Sequence, residues 1–327
     1  MIVYPLEERY GLPDGSRRVE ATKRSPATLR LQPGPYLVVV ALDDGRFHEV
    51  YRTVPENKHG MPSKSYAHTR WLTRVDGTVE WPEIDIPSAD VANGMGKFDG
   101  AARFQVGEAA RPQTPKHNRF VAAFHLDAHE TTWGEFLARN RNRPPVSIKR
   151  SPDQFPPDNM PIASIWYDDA LMHAERCGKR LPSEVEYEFA ATAGGTRRFP
   201  WGDDSERLKK WTFGPVGTPK FDRIDAGVPV FGLYSNVAEW TCSWASAYPP
   251  RLDYQPAFPL PHEGTYIVRG GPPSVIAGDP NSNDILSGPR NRVAQHEKTL
   301  KPGIGFRCAR SVRPRLKATD LERYLRD

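Results

Sequence analysis

Residues 180–203, RLPSEVEYEFAATAGGTRRFPWGD, read as a short helix with a defined start and a defined stop. Ser183 stands three residues before Glu186, the spacing of a capping box. In that arrangement each side chain satisfies a backbone N–H that the first turn leaves free. Pro182 keeps helix from entering from upstream. Val185, Phe189 and Ala190 fall on one face at helical spacing. Gly194 and Gly195 supply the left-handed residue that closes a last turn. Phe199-Pro200-Trp201-Gly202 then sets two large aromatics around a bend.

The literal string says more than its periodicity. RLPSEVEYEFAA followed by FPWGD resembles the core motif of the formylglycine-generating enzyme/sulfatase-modifying factor family. Further matches follow in order: Asn236-Val237-Ala238-Glu239-Trp240, Val268-Arg269-Gly270-Gly271 and Gly305-Phe306-Arg307. Upstream, FHLDAHETTWGEF at 124–136 and PIASIWYDDALMHA at 161–174 are similar to the family's opening strand, first helix and following segment. The resemblance covers about residues 104–312. It implies an α+β class and a C-type-lectin-like fold, rich in loops, with two helices and small twisted sheets. Domains of this kind are appended to bacterial Ser/Thr kinases and are used in retroelement variable proteins.

The chain has 327 residues, long enough for two domains and a core that needs no crosslinks. Its 33 prolines, 26 glycines and mean hydropathy of −0.63 suit a loop-rich protein with short strands. A formal charge of +5 is mild, because 45 basic residues face 40 acidic ones. The basic residues are scattered, which is not the footprint of a nucleic-acid binder. The densest basic runs, 139–143 and 307–317, read as solvated surface. Cys177, Cys242 and Cys308 give neither a disulfide framework nor zinc-site spacing, and their apolar neighbours suggest buried thiols. No apolar run is long enough to span a membrane, and the first residues do not read as a signal peptide, so the compartment stays unassigned.

In chain order, residues 1–56 read as a small all-β domain. Residues 27–32 alternate, 36–42 (YLVVVAL) form a strand buried on both faces, Asp43-Asp44-Gly45 marks a hairpin turn, and 46–54 alternate again. The pattern L-x-L-x-P-G-x-Y-x-V-V-V resembles the PEGA-like modules that precede sulfatase-modifying domains in kinases. Residues 57–103 read as a wrapped connector, with 81–87 as an extended edge strand. The lectin-like domain spans 104–312, with a strand at 120–126, a helix capped by Thr132 and Glu135, and a second helix from Asp168 to Gly178. A core strand at 266–269, a polar loop at 272–303 and a closing strand at 304–310 complete it. Residues 313–327 form a tail whose end, 319–326, reads as a short helix with Thr319 and Glu322 as its capping box.

Catalytic members of the family oxidise a cysteine in a target protein. The resemblance implies two active-site cysteines shortly after Arg-Gly-Gly that hold copper, since soft thiolates select Cu(I). Residues 272–304 contain no cysteine, Pro272 replaces the usual Ser, and Ala238 replaces a pocket Trp. In the ergothioneine-type branch, histidines of a helical domain hold iron. His125 and His129 with Glu130 offer H-x-x-x-H, but on a strand four residues span about 13 Å, too far for one metal. The resemblance also implies a Ca²⁺ site that would fall on Asn236 and Glu239, of the hard-oxygen kind that suits this ion. This chain lacks about three residues there and the usual Asp and Gly.

These features lead to one expectation of function. The chain reads as a non-enzymatic member, a pseudoenzyme, binding a protein or other macromolecule on the lectin scaffold, with no cofactor unless Ca²⁺. The ligand-binding residues expected are Asn281, Asn283, Asp284, Arg290, Asn291, Arg292 and His296 of the 272–302 loop, with Trp201 and Trp244, since long loops on rigid scaffolds carry binding. The module would be the sensor or interaction part of a larger bacterial protein. The alternative is a divergent metal-dependent oxidoreductase of the formylglycine-generating or sulfoxide-synthase type.

Overall fold

The computed structural model describes residues 1–22, 25–60, 66–107, 115–148, 154–210, 212–246, 264–271 and 292–325. At the N-terminus, β1 (Ile2–Pro5), β2 (Val19–Glu20), β3 (Gly34–Ala41) and β4 (Phe47–Val54) form an antiparallel sheet in the order β2-β1-β3-β4. The expected turn joins β3 to β4: Leu42 donates to the Arg46 carbonyl at 2.8 Å, and Gly45 takes φ 86°. β3 is apolar on both faces because both are covered. Leu37 and Val39 pack with Tyr4, Trp244 and Leu321, while Tyr36 and Val38 pack with Val3 and Val50. Two expectations fail here. Residues 27–32 form no strand, and Leu29 and Leu31 instead pack on the second of these clusters. Residues 81–87 join no ladder; the Trp81 indole donates to the Thr53 carbonyl at 2.9 Å, holding the segment across the outer face.

The connector carries one short hairpin, β5 (Leu72–Thr73) with β6 (Val79–Glu80). Regular structure then begins at β7 (Met95–Phe98) and β8 (Ala101–Val106), ahead of the expected residue 104. The single strand expected at 120–126 is two strands, β9 (His117–Val121) and β10 (Phe124–Asp127), in different sheets. β9 lies beside β8, and β10 pairs with β7. The chain changes sheet at Ala122 and Ala123, where Gly100 lies so close to the backbone that a Cβ on it would meet Val121 O at 2.2 Å and the Ala122 carbonyl carbon at 2.7 Å.

Three α-helices follow: α1 (Trp133–Arg139), α2 (Tyr167–Arg176) and α3 (Glu184–Ala191). The capping boxes expected for α1 and α3 both form, Thr132 with Glu135 and Ser183 with Glu186. α2 starts one residue before the expected Asp168 and is closed by Gly178 at φ 70°. α3 is buried on every side, its three glutamates included.

A hairpin, β11 (Arg223–Ala226) and β12 (Val228–Phe231), precedes the central sheet. That sheet is β13 (Ala238–Trp244), β14 (Thr265–Arg269), β15 (Arg292–His296) and β16 (Ile304–Gly305), in the order β15-β14-β13-β16. β17 (Ala309–Ser311) adds to β10, and β18 (Arg323–Tyr324) adds to β9. The closing strand expected at 304–310 is therefore two strands. Between them Phe306 and Cys308 give their carbonyls to Thr131 and Asp127, each at 2.9 Å. The expected C-terminal helix is a 3₁₀ turn, Ala318–Asp320, and then β18. The Thr319–Glu322 capping box does not form, because Glu322 is paired with the buried Arg119.

The basic run at 307–317 is only partly solvated surface: Arg313 and Lys317 are exposed, but Arg307, Arg310 and Arg315 turn inward. Arg307 is 0 % exposed and Arg310 is 7 % exposed. Its residues join the N-terminal sheet to the rest. Glu49 on β4 accepts two hydrogen bonds from the Arg315 guanidinium, each at 2.9 Å, and one from Ser311 at 2.7 Å. Arg52 donates to both Glu175 oxygens of α2, at 2.9 and 2.7 Å.

Candidate functional site

Glu184 and Glu188 are one helical turn apart on α3, so both carboxylates face the same way. They face the point where the chain leaves β14 and returns on β15. Arg269 ends β14, Arg292 begins β15, and the two are register partners. Arg292 donates to Glu184 at 2.5 and 3.1 Å, and Arg269 donates to Glu184 at 3.0 Å and to Glu188 at 3.1 Å. The second Glu188 oxygen accepts from the Gly107 N–H at 2.9 Å. Burial by itself would raise the Glu184 pKa, but Arg292 and Arg269 hold it down to about 2. The segment 270–291 is thus flanked by two arginines, Arg269 and Arg292, that are both held on one ionised, buried carboxylate. Its first step is fixed by Gly270 and Gly271, both left-handed; a Cβ there would meet Tyr187 Oη at 2.3 Å or Ala238 Cβ at 2.8 Å.

A second buried cluster lies below. Arg307 donates to both Glu239 oxygens, at 2.7 and 2.8 Å, and the Tyr187 hydroxyl donates to Glu239 at 3.2 Å. Asn236 takes φ 73°, and its Oδ1 accepts from the Gly214 N–H at 3.0 Å. The expected Ca²⁺ pair is therefore already engaged, Glu239 by a guanidinium and Asn236 by backbone. A dication at Glu239 would have to sit against Arg307, so these residues do not fit the ion. Beside them Glu130 is fully buried with no hydrogen bond to either oxygen among the described residues. Desolvation pushes it up to about 8, against the pull of Arg307 at 3.9 Å.

Asn281, Asn283, Asp284, Arg290 and Asn291 lie outside the described residues. Arg292 is corrected: its guanidinium is committed to Glu184 and it is an anchor, not a ligand contact. Trp244 is also corrected. It is 8 % exposed and sits in the cluster under the N-terminal sheet. Trp201 stays half-buried, stacked on Phe199 at 5.2 Å, and its indole donates to the Asp204 carbonyl at 2.8 Å. His296 is exposed at the end of β15, and its ring accepts from the Lys298 N–H at 3.2 Å. No hydrogen bond or ring contact joins Trp201, Trp244 and His296 among the described residues.

The three cysteines are separate thiols. Burial raises Cys177 and Cys242 to about 11 and Cys308 higher still, so none is poised as a thiolate. His125 stands on β10, as the strand reading required. Among the described residues no group of three or more His, Cys, Asp or Glu is placed to hold a metal ion. Sequence reasoning passed over Glu184 and Glu188. Their signal was available: Glu184 and Glu188 stand at i and i+4, clear of the capping-box position of Glu186, and two carboxylates buried together on one face require cationic partners.

Residues 95–312 match the model of the sulfatase-modifying factor enzyme 1-like domain. The chain is 26% identical over 229 residues to the serine/threonine-protein kinase Pkn1 of Chlamydia trachomatis, covering 63% of this chain and 36% of the kinase. It is 28% identical over 188 residues to a formylglycine-generating enzyme of Mycobacterium tuberculosis, covering 45% of this chain and 56% of that enzyme. The solved structure of Treponema denticola variable protein 1 aligns with a TM-score of 0.47 at 16% identity, over 66% of this chain and 94% of the other. The chain spans between 36% and 56% of the length of the two curated relatives.

Proposed function

The chain belongs to the sulfatase-modifying factor enzyme 1-like domain family, and from that premise we propose that it is a non-enzymatic recognition module. It binds a protein or other macromolecular ligand through the segment between β14 and β15. The observation that carries this reading is the double anchor. A long polar segment leaves and re-enters the sheet at Arg269 and Arg292, both held by Glu184. A rigid base of this kind lets the segment between vary or adapt without loss of the fold. Two further features favour binding over family-type oxidation. Residues 272–304 contain no cysteine, and the cysteines elsewhere are held as protonated thiols by burial. Soft-metal chemistry needs thiolates. The relation to a kinase suggests that the module serves as the interaction part of a larger protein.

The test replaces residues 275–289 by a Gly/Ser linker of equal length. The expected result is an unchanged melting temperature together with loss of the partner that wild type captures and crosslinks. Single changes Asn283→Ala and Arg290→Ala would weaken capture in part. Equal capture by wild type and linker variant removes the segment from the function. Stoichiometric copper or iron in purified protein would replace the recognition reading with an oxidoreductase.

A further inference from the structure

Away from the anchored segment, the C-terminal ends of α1 and α2 meet the connector at an open cavity of about 530 Å³. It is lined by Arg139, Arg141, Arg143 and Arg176, with Asn140 and Asp85. Among the described residues no carboxylate pairs with any of these four arginines. Glu135, one turn before Arg139, has its carboxylate bound to the cap N–H of its own helix. Arg176 donates to the Asn140 side chain, which joins the two helix ends.

The backbone at this place is unusual. Arg141 and Asn142 both take left-handed conformations, at φ 54° and 58°. Asn142 N–H returns to Leu137 O at 2.8 Å, closing α1 in the manner that glycine ordinarily serves. An arginine therefore occupies a glycine position, at a steric cost, and its side chain lines the cavity.

A helix C-terminus attracts cations, so the arginines could simply offset the two helix dipoles. The charge count shows more than that. Two helix ends supply about −0.5 each and Asp85 supplies one negative charge, which leaves an excess of about +2 from four guanidinium groups. The field is felt nearby. His173 is held neutral, down to about 3, by burial and then by Lys179, Arg139 and Arg176. A concave site with a net positive charge concentrates counter-ions, and its four exposed guanidinium forks are planar groups that match tetrahedral oxyanions bidentately.

We propose that this cavity is a binding site for a doubly charged tetrahedral oxyanion of the phosphate class, free or carried as a monoester. The test is calorimetric titration of the full chain with inorganic phosphate and with O-phosphoserine, with ionic strength matched by chloride. Both are expected to bind saturably at one site, and chloride is not. Tighter binding of phosphoserine assigns the site to a monoester, whereas equal binding assigns it to the free ion. Arg139→Ala and Arg143→Ala should each weaken binding by about fivefold to tenfold. Arg141→Gly removes a guanidinium while relieving the left-handed strain. It should hold or raise the melting temperature and still lower the affinity, which a purely structural arginine would not do. Absence of saturation by either anion overturns the proposal. So does an affinity that survives all three substitutions combined.

Discussion

Arg292 and Glu184 form a bidentate pair, at 2.5 and 3.1 Å, at the point where the long segment re-enters the central sheet. Glu184 is 3 % exposed and also receives Arg269. Its removal would leave two buried guanidinium groups without this counter-charge. Breaking a buried pair in this way costs about 3–5 kcal/mol. Glu184→Ala is expected to lower the denaturant midpoint accordingly and to abolish partner capture. Asn283→Ala should leave the midpoint where it is.

The N-terminal sheet should not melt on its own. Glu49 is 4 % exposed, and burial, which alone would raise its pKa, is outweighed by Arg315 and Arg180, which hold it down to about 2. Glu49→Gln leaves Arg315 and Arg180 short of a buried counter-charge, for a loss of about 3 kcal/mol or more. We expect calorimetry to give a single transition for wild type and a lower single transition for the variant. Two resolved transitions in wild type would show that the sheet is an independent unit.

Stability should fall in mild acid. His173 and His117 are held down to about 3 and about 4, in both cases first by burial. The unfolded chain protonates these rings near pH 6.5, so it binds more protons than the native state below that point. Their contribution is complete above pH 6.5 and is lost as the pH falls through 4 toward 3. His173→Phe keeps the stacking on Phe136 and should flatten the slope of unfolding free energy between pH 6 and pH 4.

Glu130 acts with the opposite sign. Burial raises its carboxyl to about 8, so the native state keeps a proton that the unfolded chain releases near pH 4.5. This group favours the unfolded chain increasingly as the pH rises from 4.5 through 8. Glu130→Gln should therefore stabilise the protein at pH 8 more than at pH 5. An equal effect at both pH values would show that Glu130 is ionised in the folded protein.

Calcium should do nothing at Glu239. Because Arg307 holds both of its oxygens, millimolar Ca²⁺ is expected to leave the melting temperature unchanged. A rise that disappears in Glu239→Gln would restore the site that the resemblance implied.

Some of this was legible from neighbouring residues. Ser183–Glu186 and Thr132–Glu135 close their capping boxes within three residues, so no distant partner is needed to predict them. The turn at Asp43-Asp44-Gly45 and the burial of β3 on both faces were readable for the same reason. The errors fall where a distant residue decides. Thr319 and Glu322 have capping-box spacing, but Arg119, two hundred positions away in the chain, takes the Glu322 carboxylate. Residues 120–126 and 304–310 look like single strands. Each is divided between two sheets because different partners lie beside its halves.

The sequence by itself determined the family, the α+β class, the helix caps and the absence of cysteines between Pro272 and Ile304. These follow from local backbone preferences and from strings of neighbouring residues. Only the tertiary structure decided which charged residues are anchors. Arg292 pairs with Glu184, Arg307 with Glu239, Arg315 with Glu49, and Trp244 lies under a sheet made from the first residues of the chain. An arginine in a sequence carries the same charge whether it faces water or a buried carboxylate. What distinguishes the two is the desolvation that folding imposes, and that depends on partners 68 to 266 positions away in the chain.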